Sequence, residues 1–306
     1  MSEQVKERAV PEAAEDPTPA PPTETRADGA IAGYRERRTL PLRVELARQF
    51  GRRRTQVTLG LLAVLPVVLL LAFELGSNGT ARRQGGLVDL ATASGQNFVT
   101  FALFASANFL LVVVVALFFG DTVASEASWS SLKYLLAIPV PRGRLLRQKA
   151  LVSGLLSVLG LLVLPVMSLL VGLIWYGAGD MVTPTGESVP LADGLVALGL
   201  ALCYLAVHLF WVAGLALLLS VSTDAPLSAV GGAALVSIVS QILNQITDLG
   251  SLREFLPTHY SYAWSDLLST DIDWSNMAAG AFSSLAYGTF FVLLAVRRFA
   301  RKDITS

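Results

Sequence analysis

Six long apolar stretches constrain this chain more than anything else in its sequence. Each offers roughly the 20 mostly apolar residues that a helix needs to cross a bilayer. They lie at about 56–73, 98–119, 150–175, 195–219, 227–246 and 277–296. Charge is correspondingly scarce. Only 15% of residues are charged, where a soluble domain carries about a quarter, and the charges gather in short blocks between the apolar runs. The expected fold is an all-α integral membrane protein of six transmembrane helices. Pro66 and Pro165 fall inside the first and third stretches, where neighbouring helices can satisfy the carbonyls that a proline frees.

The basic residues give an orientation. Seventeen Lys and Arg flank the stretches on one side: Arg35 to Arg54, Lys133 to Lys149, and Arg297 to Lys302. Three lie on the other: Arg82, Arg83 and Arg253. Lys and Arg concentrate on the cytoplasmic side of membrane proteins, so both termini and the loop between the second and third spans are expected to be cytoplasmic. Residues 1–33, rich in Pro, Ala, Glu and Thr, read as a disordered cytoplasmic tail that cannot bury enough apolar surface to fold. That tail has no signal-peptide pattern, so the first span serves as an uncleaved anchor, and residues 34–306 form the membrane domain. Ahead of the first span, Leu42, Leu46 and Phe50 share a helical face between charged neighbours. This predicts an amphipathic elbow helix on the membrane surface, with Thr39 as cap and Pro41 in its first turn. On the opposite side, Tyr260, Tyr262 and Trp264 suit a short helix or re-entrant pair at the outer interface.

The second-to-third loop carries the most specific pattern. It contains Gly120-Asp121, Ala124 with Glu126, Leu132-Lys133, Leu135-Leu136, Pro139-Val140-Pro141-Arg142 and Lys149. This resembles the first cytoplasmic loop of the membrane subunits (permeases) of ABC exporters, in the branch that includes drug, sodium and polysaccharide exporters. Ser130-Ser131 departs from that family's usual Gly-Thr. The resemblance spans the chain from about Leu40 to the end, including Leu256-Pro257-Thr258-His259-Tyr260. It implies a permease in the plasma membrane, docked through this loop onto a separate ABC ATP-binding subunit, and paired with a second copy of itself or a related permease. Glu126, Trp129, Lys133 and Arg142 are the residues it assigns to docking, with Glu126 and Lys133 facing water and Trp129, Leu132 and Leu136 forming an apolar ridge. The same ridge would also suit packing on the chain's own helices.

Other polar residues lie within the spans. Ser237, Gln241, Asn244 and Asp248 fall at steps of four, three and four along the fifth, one helical face that suits either a translocation path or interhelical hydrogen bonding. His208, with Tyr204 and Trp211 nearby, reads as a packed, hydrogen-bonded residue. There is no Gly-x-x-x-x-Gly-Lys-Ser/Thr phosphate loop, no His-Glu-x-x-His and no Gly-x-Ser-x-Gly. One cysteine and two histidines exclude a cysteine cluster or multi-histidine metal site. The chain is therefore expected to be no enzyme and to hold no cofactor, with ATP and magnesium bound in the partner subunit. Lipid is its solvent, and nothing points to nucleic acid. The alternatives are a non-transporting scaffold or regulatory subunit, and an intramembrane enzyme.

Overall fold

The computed structural model describes residues 41–77, 87–128, 140–183, 186–269 and 272–302. It is an all-α membrane protein with six helical spans: Arg53–Gly76, Leu110–Ser128, Arg142–Trp175, Leu191–Ser222, Pro226–Asn244 and Trp274–Ala300. The elements in chain order are α1 (Leu42–Phe50), α2 (Arg53–Ser77), α3 (Leu87–Ala91), α4 (Gly95–Ser106), α5 (Leu110–Ser128) and α6 (Arg142–Trp175). A two-residue-per-strand hairpin, β1 (Met181–Val182) and β2 (Ser188–Val189), precedes α7 (Leu191–His208), α8 (Phe210–Ser222) and α9 (Pro226–Asn244). Two 3-10 helices, Thr247–Phe255 and Ala263–Leu268, lead into α10 (Trp274–Ala300).

The elbow is present as α1, with Pro41 at its N-cap rather than in its first turn. Thr39 and the 1–33 tail lie outside the described residues. Two of the apolar stretches are interrupted. The second, expected at 98–119, is broken at residues 107–109 between α4 and α5, so that the span itself is α5, and the fourth is split at Leu209 into α7 and α8. The third begins at Arg142, so the basic return from the loop is already helix. At 1.5 Å per residue its 34 residues extend about 50 Å, well beyond a hydrocarbon core of about 30 Å.

Helix α5 is the hub: 72% of its apolar window is buried, against 17% for α2. It packs on α6, α8 and α9, while α10 lies along α8 and α2 lies outside α6. Helices α8 and α10 meet through Gly214 and Gly288, where a methyl added at Gly214 would come within 2.6 Å of the Gly288 carbonyl oxygen. Small residues permit this backbone contact where hydrocarbon supplies no hydrophobic drive to association.

Two ends can be distinguished. The basic end collects α1, the start of α2, the end of α5, the start of α6 and the end of α10. The hairpin end holds β1–β2 and the 3-10 helices. The stretch between α9 and α10 does more than rest on the surface there. Tyr260 packs against Gly280, six residues inside α10, Tyr204 donates to the Tyr260 carbonyl (2.7 Å) and Tyr287 to the Phe255 carbonyl (2.7 Å). Trp264, fully buried, stacks obliquely on Phe104 (4.5 Å). Irregular backbone is tolerated at this depth because protein donors reach its carbonyls.

Candidate functional site

The densest polar site is at the basic end. Along α5, Asp121 and Ser125 are one turn apart, with Glu126 beside them. On α1 and just beyond it, Arg48 and Arg52 are also one turn apart, so their guanidinium groups reach the same surface of α5. Glu126 Oε1 accepts from Arg48 Nη2 (2.8 Å), Lys149 Nζ of α6 (3.2 Å) and Arg52 Nη2 (3.4 Å). Asp121 pairs with Arg52 (3.2 Å) and with Arg54, and Ser125 Oγ accepts from Arg52 Nη1 (3.4 Å). Glu45 completes the set, 2.9 Å from Arg48 and 3.6 Å from Lys149.

This corrects the expectation that Glu126 faces water: it is 2% exposed, and so is Lys149. Three cations converge on the carboxylate, and their combined attraction offsets the cost of taking it out of water. Burial pushes the Glu45 carboxyl up, but hydrogen bonding from Arg48 and the charges of Lys149 and Arg48 outweigh it and hold the group below its ordinary value. A depressed folded-state value means that stability is present above the unfolded value and is lost as pH falls through the folded one. Protection of α1 against hydrogen exchange is therefore expected to hold from neutral pH down past 4.5 and to fail only in stronger acid.

Arg142 also turns inward. Its Nη1 donates to the carbonyls of Ala300 and Lys302 (3.0 Å each), at the C-terminal end of α10. A cation is favoured there by unsatisfied carbonyls and the helix dipole. Lys302 in turn donates to the Val221 carbonyl (3.2 Å) and Asp224 (2.9 Å). Trp129 and Lys133, with Leu132 and Leu136, lie outside the described residues.

The fifth-span stripe is only partly one surface. Ser237 is fully buried. Gln241 Nε2 donates to the Asn108 carbonyl (2.6 Å), in the break of the second stretch, and to Ser237 Oγ (3.3 Å). Asn244 Oδ1 meets His259 Nδ1 (2.7 Å), and Ser240 meets Thr258 (2.7 Å). Asp248 does not join them: α9 stops at Asn244, and Asp248 is exposed in the first 3-10 helix. These groups tie α9 to the break between α4 and α5 and to the stretch between α9 and α10. Replacing Gln241 with leucine is expected to cost about 0.6–1.7 kcal/mol, the range of membrane-embedded hydrogen bonds, measured as loss of monodisperse protein on heating in detergent. His208 is packed as expected, 4% exposed, with Nδ1 3.2 Å from Ser284 Oγ and its ring stacked on Tyr204.

Residues 82–305 match a family described as protein of unknown function (DUF2705). The chain belongs to this family. No curated protein matches it. The DUF2705 match takes in Asp121, Glu126, Arg142 and Lys149, together with the whole fifth-span stripe, while α1 and α2 precede it.

The DUF2705 region holds one polar constellation that the sequence reading missed. Asn97 Nδ2 donates to the Val182 carbonyl (2.7 Å) and Asn97 Oδ1 accepts from the Val182 N–H (2.9 Å). The amide thus acts as a third strand for the hairpin, while Gln96 Nε2 donates to the Leu191 carbonyl (2.6 Å). The available signal was Ser94-x-x-Asn97, a cap pattern just ahead of an apolar run; Ser94 does cap α4 by accepting from the Asn97 N–H. Asn97→Ala is expected to cost about 1–2 kcal/mol, because it leaves the two half-buried backbone groups of Val182 without this partner. Faster proteolytic nicking of the hairpin would show it.

Proposed function

We propose that this DUF2705 protein is the membrane subunit of an ATP-driven exporter of the ABC type. It would sit in the plasma membrane with both termini and the 129–139 loop in the cytoplasm. A separate ATP-binding subunit carries ATP and magnesium, and a second permease copy or relative completes the path. The observation that carries this reading is the patterned loop itself, with Leu132-Lys133, Leu135-Leu136 and Pro139-Val140-Pro141-Arg142 between the second and third of six spans. Orientation rests on the same excess of Lys and Arg at one end.

The geometry supports the loop as a lever. Its leading end is fixed at Glu126 to α1 and α6, and its trailing end at Arg142 to the end of α10. A force delivered through 129–139 to these two ends would therefore load α1, α5, α6 and α10 together. Glu126 and Arg142 act as anchors in this scheme, and direct contact with the ATP-binding subunit falls to Trp129 and Lys133. Half-exposed Gln241 and Asn244 are the fifth-span groups left to line a path, with exposed Asp248 at its mouth.

The bonding of Ser237, Gln241 and Asn244 within the chain favours a second reading, a scaffold or regulatory subunit on the same kind of ATPase. Reconstitution with the ATP-binding subunit in proteoliposomes separates the two. An exporter hydrolyses ATP faster when its substrate is present, and Lys133→Glu lowers that stimulation without changing the yield of folded protein. Hydrolysis indifferent to every candidate drug, lipid, peptide, ion or polysaccharide supports the scaffold.

A further inference from the structure

Helix α1 turns Glu45, Leu46 and Gln49 toward the protein and leaves Val44 and Phe50, with Arg43 between them, on its outer side. Gln49 is buried, and Glu45 faces inward to Arg48 and Lys149. Val44 (63% exposed) and Phe50 (47% exposed) point outward. A helix that packed against water on that side would reverse this arrangement. The charges around it are equally one-sided. Each described carboxylate at the basic end, Glu45, Asp121, Glu126 and Asp224, is ion-paired within the chain. Arg43, on the outer side of α1, and Arg53, at the start of α2, are exposed and make no ion pair among the described residues.

We propose that the outward face of α1 is a binding surface for anionic phospholipid. Val44 and Phe50 enter the acyl boundary, and Arg43 and Arg53 hold headgroup phosphates. An apolar face flanked by cations is what a helix lying in the plane of an anionic leaflet requires, and guanidinium matches phosphate oxygens in a two-pronged hydrogen bond. The inner charge network leaves these two arginines for lipid, because every carboxylate at this end among the described residues is already ion-paired. The inference rests on the membrane embedding of the chain alone and stands apart from the exporter reading.

The test uses the full chain with Val44→Cys on a Cys203→Ser background, labelled with an environment-sensitive fluorophore. It is placed in nanodiscs of phosphatidylcholine alone or with one third phosphatidylglycerol. Gly143→Cys, at an exposed position with open space around it, serves as the water reference. The expected result is a blue-shifted emission at position 44 and about twofold weaker quenching by acrylamide in the anionic discs. Arg43→Gln with Arg53→Gln removes the difference between the two lipids. The wild-type lipid comparison reads out even where the double variant is poorly folded. Quenching at 44 equal to that at 143 in both lipids overturns the proposal. So does a lipid dependence that survives loss of both arginines, or shielding that appears only on adding an ATP-binding subunit.

Discussion

Glu126→Ala is expected to destabilise the protein by about 3–5 kcal/mol, the cost of removing one partner from a buried ion pair. Lys149 is 2% exposed, and Arg52 has a side chain only 12% exposed. Without the carboxylate, the ammonium keeps, among the described residues, only Glu45 at 3.6 Å, and α1 loses the acceptor shared by Arg48 and Arg52. The readout is the temperature at which monodisperse protein is lost in mild detergent. Glu126→Leu combined with Lys149→Met is expected to recover much of the loss, because replacing both charges by apolar groups of similar size is often close to neutral. Single variants within about 1 kcal/mol of wild type would mean that water reaches the pair and that its members act as ordinary surface charges.

Gly214→Ala is expected to have the second-largest effect. Its new methyl would lie 2.6 Å from the Gly288 carbonyl oxygen and 3.1 Å from the Gly288 Cα. Both obstacles are backbone, so α8 and α10 must part along their shared length. Overpacking typically costs about 1–3 kcal/mol, and more where backbone must move; this variant belongs at the upper end. Gly199→Ala supplies the control, since nothing lies within 4 Å of its added methyl, and alanine is the better helix former by about 1 kcal/mol. Detergent-solubilised yield and thermal midpoint should fall for Gly214→Ala and hold or rise for Gly199→Ala.

The spans were legible because hydrocarbon imposes one requirement, an apolar run of sufficient length, and the sequence states it six times. The breaks at 107–109 and at Leu209 were not. Ala107, Phe109 and Leu209 are as apolar as their surroundings, and the second break sits where the Gly214–Gly288 contact forms, a contact between residues 74 positions apart. Asp248 was misplaced by carrying helical phase through Gln245 to Thr247, beyond the point where α9 ends. Glu126 was read from its own loop, as a charge among polar neighbours. Its burial depends on which of the eight arginines from Arg35 to Arg54 meets it, and helical periodicity along α5 alone does not encode that. The basic residues were legible as a group gathered beside the spans, but Arg48, Arg52 and Lys149 proved to have individual partners. His259 and Thr258 were noted in the resemblance without a role, and they turn out to hold Asn244 and Ser240.

The most direct measurement of the central claim is a site-specific photocrosslink from the loop in native membranes. A crosslinking amino acid would replace Trp129 or Lys133, with Leu195, exposed in α7, as the lipid-facing control. The expected result is a crosslinked product from 129 and 133, absent from 195, whose mass-identified partner carries a phosphate loop and whose yield changes when ATP is trapped in it. Crosslinks from both loop positions that reach only lipid or this chain itself would contradict the exporter account and leave a six-span membrane protein that works without an ATP-binding subunit.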